Sequence, residues 1–168
     1  MIKTTIINGH EVQIQNDYIP NENDIDYMSV RHLAFFKISL NEIKTELDSE
    51  LEDLKTQITT LSNEIHHGDS SDMASQSEEL LRVTKILDRK RKYKDRVLET
   101  IKKIDTGDYG FCSKTGAKIG IQRLLLRPIT NYCLEVQEQM EKEEKTQEKV
   151  IYQDQMRHGY TDEINDDL

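Results

Sequence analysis

The sequence predicts a mainly α-helical protein: a long antiparallel coiled-coil hairpin carrying a small globular base and a C-terminal helix. Three observations predict it. Charged residues make up 33% and aromatics 6% of 168 positions, with no Trp and two Pro, which is the composition of long helices rather than of a thick-cored globule. Apolar residues recur at three- and four-residue steps through two long stretches, the pattern of a coiled-coil seam. One short Gly-containing break separates the stretches, and a short turn between two apolar stripes closes them into a helical hairpin.

The first stretch starts at Tyr27. Leu33, Phe36, Leu40, Ile43 and Leu47 follow at steps of 3, 4, 3 and 4 residues, and Leu51, Leu54, Ile58, Leu61 and Ile65 continue the rhythm. The two successive four-residue steps leading into Leu51 form a stutter, which locally unwinds a coiled coil. From Phe36 to Ile65 the helix extends ~45 Å at 1.5 Å per residue. The run ends at His66-His67-Gly68-Asp69-Ser70-Ser71-Asp72. Gly68 suits a helix C-cap there, and Ser70, Ser71 and Asp72 suit the N-cap of the next helix. Leu80, Val83 and Leu87 lead the second stretch, Lys90 to Lys94 interrupt it, and Val97, Ile101 and Ile104 resume it. The stretch stops at Asp105-Thr106-Gly107-Asp108-Tyr109-Gly110.

Residues 107–132 form a small Gly-containing module in which Pro128 stops any helix. From Asn131 a further helix runs through a Glu/Gln/Lys-rich stretch to about Val150, and the acidic end, Asp162 to Leu168, frays. At the other end, Ile6, Ile7, Val12 and Ile14 around Asn8-Gly9 fit either a small β-hairpin or a weakly ordered tail, followed by a linker at Pro20-Asn21-Glu22-Asn23. The chain therefore divides into an N-terminal extension (1–25), a helical segment (26–105) with its tip at 66–74, the small module (106–132), and a C-terminal helix with an acidic tail (133–168). Residues 26–36 and 105–145 build the base.

Charge and motifs exclude several functions. A net charge of −9 repels a phosphate backbone, which disfavours direct DNA binding. No apolar run reaches the ~20 residues that span a bilayer, and Met1 to His10 is no signal peptide, so a cytoplasmic protein without membrane contact is expected. Its two cysteines, Cys112 and Cys133, are then thiols or metal ligands rather than a structural disulfide. His66 and His67 are adjacent and point to different sides of a helix, as at a solvated helix end. No phosphate loop, nucleophile elbow or carboxylate/His cluster appears, so no enzyme is expected. A hairpin that buries its own stripes predicts a monomer.

The motifs of the second half are more specific. Gly107-Asp108-Tyr109-Gly110-Phe111-Cys112, then Gly116, Ile119-Gly120, Arg123-Leu124, Arg127-Pro128, Cys133 and Gln137 resemble the C-terminal zinc-finger module of the DksA/TraR family. Independently, Asp69-Ser70-Ser71-Asp72-Met73-Ala74 resembles that family's Asp-x-x-Asp-x-Ala tip motif. The resemblance spans about Asp26 to Glu144. It implies a zinc-finger-like base and a regulator that inserts its hairpin into the secondary channel of bacterial RNA polymerase, bringing acidic tip residues toward the active site without entering DNA. It also implies action on initiation at ribosomal RNA and stringent-response promoters, often with ppGpp. The tip residues it marks are Asp69, Asp72 and Ala74, the last small enough for close approach. Asp69 and Asp72 also suit caps of the second helix. Arg89 is placed as a polymerase contact. Arg96 and Arg127 stand at basic positions that hold ppGpp, and Gln137 stands where some members carry Lys.

One departure stands out. The family's zinc version has two Cys-x-x-Cys pairs, and a closed structural zinc site needs four ligands. Here the pairs read Cys112-Ser113-Lys114-Thr115 and Cys133-Leu134-Glu135-Val136. Thr115 and Val136 replace a cysteine in each, so no zinc is expected, as in cysteine-poor members where packing replaces the metal. Tyr109, Phe111, Ile119, Ile121 and Leu124 are the candidates for that packing, with Cys112 and Cys133 as small hydrophobes or a redox pair. Two other functions compete: a structural coiled-coil adaptor, which needs no acidic tip, and a transcript-cleavage-type factor that enters the same channel. The order of elements, hairpin first and module second, favours the DksA-like one.

Overall fold

A computed structural model describes residues 2–22, 26–65 and 70–159, with side chains throughout except at 70–72 and 154–159. Two strands, β1 (Ile2–Ile7) and β2 (His10–Gln15), precede four helices: α1 (Val30–Ile65), α2 (Ser70–Thr106), α3 (Ile121–Leu126) and α4 (Leu134–Gly159). The chain falls into two compact units, one of residues 1–110 and 121–129, the other of 111–120 and 130–168.

In the first unit α1 and α2 run antiparallel. Three cross-helix ion pairs show the opposed directions: Lys37 with Asp105, Asp48 with Lys94, and Glu50 with Lys90. The 36 residues of α1 make a rod ~54 Å long. Leu33, Phe36, Leu40, Leu47 and Leu51 are buried on α1, and Val83, Leu87, Val97, Thr100 and Ile104 on α2. Farther toward the turn, Leu54, Ile58, Leu61 and Leu80 are only half-buried, because two helices alone cannot enclose the side chains between them.

The polar stretch on α2 does not leave the seam. Lys90 and Lys94 occupy the seam steps between Leu87 and Val97, and both reach across to α1. Lys90 Nζ lies 2.7 Å from Glu50, and Lys94 pairs with Asp48, whose other partner is Lys44 at 3.3 Å. A charged interruption in an apolar seam fixes register, since a shifted pairing strands each lysine opposite a leucine.

The N-terminal segment takes the first of its two sequence-level alternatives and forms a hairpin. Asn8 and Gly9 have φ of 51° and 81°, the left-handed pair that a two-residue type I′ turn requires. β1 and β2 pair antiparallel from Ile2↔Gln15 to Ile7↔His10. The hairpin packs on α1, burying Ile7 and Ile14. Lys37 clamps it: Nζ donates to the Ile6 carbonyl at 2.7 Å and to Asp105 of α2 at 2.5 Å.

Helix boundaries correct the periodicity in three places. α1 begins at Val30 rather than Tyr27, because Met28 has φ 55° and Ser29 caps the helix, its oxygens accepting from His32 N at 3.4 Å and Leu33 N at 3.0 Å. α3 is a helical turn that the apolar pattern missed. α4 starts at Leu134 rather than Asn131, because the Asn131 carbonyl accepts instead from Ser113 N at 2.9 Å. Among the described residues no helix is long and apolar enough to cross a membrane.

Lys94 and Lys44 together hold the Asp48 carboxyl below its ordinary pKa by hydrogen bonding, against a smaller opposing effect of desolvation. A depressed folded-state pKa gives stability that is present above the unfolded carboxylate value, near 4, and is lost as pH falls through the folded one. Equilibrium denaturation from pH 6 to 2 is therefore expected to show a shallower acid loss for Asp48→Asn than for the wild type; parallel curves contradict the pairing.

Candidate functional site

The base of the hairpin is fixed from the first unit. Phe36 packs on Tyr109 with ring centroids 5.3 Å apart, and the Tyr109 hydroxyl donates to the Pro128 carbonyl at 2.9 Å. Tyr27 donates to the Gly110 carbonyl at 2.6 Å. Gly110 has φ 93° and a Cβ there would sit 2.7 Å from Met28 Cγ, so both backbone and space demand glycine. Ile121 and Leu124 bury one face of α3. Tyr109, Ile121 and Leu124 thus belong to the hairpin unit.

The second unit is built around a sulfur. Phe111 bridges Lys118, Cys112 N donates to the Ala117 carbonyl and Gly116 N to the Cys112 carbonyl, each at 2.8 Å. This tight turn aims donors at Cys112. The Thr115 hydroxyl and the backbone N–H groups of Cys133, Lys114 and Thr115 all hydrogen-bond to the thiol. Desolvation opposes ionisation, but these donors together outweigh it and lower the thiol from its usual 9.0 to about 6. Cys112 is buried, as expected of a small hydrophobe, and the donors around it favour the ionised form of its thiol. Ile119 is buried, whereas Phe111 is 38% exposed.

The positions of a four-ligand metal site come together without its chemistry. The Thr115 hydroxyl and the Cys133 backbone reach the Cys112 sulfur, and Val136 is buried. A tetrahedral zinc site requires four donors, and the Val136 isopropyl group has none to give. The residues present do not fit a four-cysteine zinc.

The other marked residues are dispersed. Asp69 lies outside the described residues, and Asp72 falls in the first turn of α2, where negative charge suits the helix N-terminus; Ala74 is exposed. Arg89 and Arg96 are exposed on α2. Between them stands Tyr93, which sequence reasoning missed: the Arg96 guanidinium lies 5.8 Å from its ring centroid. Arg89, Tyr93 and Arg96 follow 4- and 3-residue steps, the same-face spacing that would have revealed the stripe. Arg89 and Tyr93 border a groove of about 550 Å³ over the polar seam, with Glu46 and Glu50 opposite. Arg127 is exposed just past α3, its N–H donating to the Arg123 carbonyl at 2.9 Å. Gln137, in α4, donates to Glu141 at 3.0 Å.

Fold and site define a class: a protein with a long helical hairpin and a zinc-finger-type module whose ligand set has been reduced to two cysteines. Comparison with known proteins agrees. Residues 107–142 match the prokaryotic dksA/traR C4-type zinc finger. The RNA polymerase-binding transcription factor DksA of Caulobacter vibrioides is 31% identical over 132 residues, covering 78% of this chain and 90% of the relative. That of Escherichia coli is 31% identical over 121 residues, covering 71% and 78%. The structure of transcription factor DksA2 from Pseudomonas aeruginosa superposes with a TM-score of 0.68 at 33% identity, over 74% of this chain and 94% of that one. The chain belongs to the DksA/TraR family.

The hydrogen-bonded sulfur gives a direct expectation. A thiol whose folded pKa is depressed contributes stability above its unfolded value, lost as pH falls through about 6. Thiolate absorbance at 240 nm should rise with a midpoint near that pH, persist in Cys133→Ser, whose backbone donor remains, and move up in Thr115→Val. A midpoint between 8 and 9 in the wild type contradicts the donor cage.

Proposed function

We propose that this protein is a transcription factor that binds bacterial RNA polymerase directly and modulates initiation through the secondary channel. Membership of a family whose relatives carry RNA polymerase-binding factor in their names supports the partner. The observation that carries the channel mechanism is geometric. A slim two-helix rod ~54 Å long has the end of α1 at Ile65 and the start of α2 at Ser70 at one extremity; Asp72 stands in the first turn of α2, and Asp69 precedes that helix in the sequence. The rod is stiff enough to present that turn because its seam is continuous, with ion pairs bridging the polar stretch. Two carboxylates delivered to a catalytic centre act on basic side chains or on magnesium-bound water there. Ala74 leaves room for close approach.

The stripe Arg89–Tyr93–Arg96 faces outward along the rod and suits contact with the channel wall at Arg89. Arg96 and Arg127 are exposed cations of the kind that pair bidentately with phosphate oxygens, which supports a ppGpp response at ribosomal RNA and stringent-response promoters. Gln137 supplies a neutral donor in place of a charge. The base works without zinc, its turn held instead by the donors around Cys112. The protein acts as a cytoplasmic monomer, as a regulator and not as an enzyme, and makes no sequence-specific DNA contact, consistent with its net charge of −9.

In vitro transcription from a ribosomal RNA promoter tests this. Wild type should inhibit, Asp69→Asn/Asp72→Asn should bind polymerase without inhibiting, and Arg96→Ala/Arg127→Ala should lose only the extra inhibition that ppGpp adds. Full inhibition by the tip variant contradicts the mechanism, and an unchanged ppGpp response in the arginine variant removes the ppGpp assignment.

A further inference from the structure

The N-terminal hairpin carries a surface that neither tip nor base uses. Its two-residue turn makes Ile7 and His10 a hydrogen-bonded pair, and alternation then turns the backbone groups of Ile6, Thr4 and Ile2 outward from β1. The Ile6 carbonyl shows that direction, since it accepts from Lys37 of α1. Among the described residues the outward N–H and C=O of Thr4 have no partner. β1 is one edge of a two-stranded sheet, and unpaired edge groups such as those of Thr4 are a template for a further strand.

Beside that edge lies a groove of about 630 Å³ between β1 and α1. Thr4 and Thr5 form one wall, and Ile38, Asn41, Thr45 and Glu46 form the other. Glu46 has no ion-pair partner among the described residues, whereas Glu42, on the same wall, pairs with Lys3 at 2.6 Å. At the outer lip Ile2 and Ile6 are 65% and 60% exposed.

We propose that this groove accepts an extended segment of RNA polymerase, which adds to β1 as a third strand and sets a basic side chain against Glu46. The proposal rests on the polymerase-binding function above and assigns it a second contact, remote from the tip. Three features specify the occupant. Free backbone groups on β1 call for an extended strand rather than a helix. The Ile38 and threonine methyls call for apolar, β-branched side chains on one face. The unpaired Glu46 calls for a cation. A second copy of this chain fits poorly, because an edge-to-edge pair brings Glu42 and Glu46 of both copies together in a chain already at −9.

Competition binding of the full chain to purified bacterial RNA polymerase tests the assignment with two variants. Thr4→Pro removes an outward N–H and no hairpin hydrogen bond, and Glu46→Lys reverses the unpaired charge. Melting temperatures establish that each is folded; if Thr4→Pro is not, Glu46→Lys carries the test. Each folded variant should bind about tenfold more weakly. Wild-type affinity in the folded variants, with wild type itself binding, overturns the groove assignment alone. Failure of the wild type to bind polymerase overturns both this assignment and the function it rests on. Concentration-dependent dimers that disappear in Thr4→Pro place a second copy in the groove and also overturn it.

Discussion

Everything in the first unit depends on the seam between α1 and α2. Neither helix stands alone: each presents one apolar stripe along a rod of more than thirty residues, and an amphipathic helix is stable only when that stripe is covered. Mutual burial of Leu40, Leu47, Val83, Leu87 and Val97 supplies the cover, and hydrophobic contact by itself permits slippage by a heptad. The Lys90–Glu50 and Lys94–Asp48 pairs remove that freedom. With register fixed, the C-terminal end of α1 and the N-terminal end of α2 keep a set relation to the rest of the seam. Lys37 extends the same logic to the hairpin's open end by tying β1 and α2 to one α1 side chain.

The base solves a different problem. A zinc-finger-type turn ordinarily relies on a metal to neutralise clustered thiolates and hold two chain segments together. With Thr115 and Val136 in two of the four positions, two cysteines remain, and hydrogen bonds surround the Cys112 sulfur. Thr115 supplies a hydroxyl, and the turn 112–116 and the start of α4 supply backbone N–H groups. Substitution of a ligand by Thr is therefore conservative toward the sulfur even though it is destructive toward zinc.

Much of this was legible in the sequence because its signals are periodic. The 3- and 4-residue steps from Leu33 to Ile65 and from Leu80 to Ile104 gave both long helices; Gly68, read as a C-cap between them, lies outside the described residues. Asn8-Gly9 gave the β-turn, although six-residue strands are too short to separate from a loose tail without α1 beneath them. Lys90 to Lys94 read as a gap because a lysine at a seam position is polar in sequence and becomes structural only opposite Asp48 and Glu50. α3 escaped because six residues are fewer than two helical turns and its period is indistinct. Of the candidate sites, the cysteine positions were visible, but the lowered pKa of Cys112 was not, since the Thr115 hydroxyl and the backbone donors behind it are brought to the sulfur only by the fold. Tyr93 was overlooked because it lies within the polar stretch Lys90 to Lys94, whose charges mask a single aromatic.

The central claim is that the rod delivers its turn to the interior of RNA polymerase. Site-specific photo-crosslinking measures this most directly. Met73 is 40% exposed and sits between Asp72 and Ala74, so a benzoylphenylalanine placed there reports what the tip touches. Crosslinks to polymerase segments that line the secondary channel and the catalytic centre are the predicted result. Crosslinks confined to the outer surface of the enzyme, with inhibition retained, contradict the account.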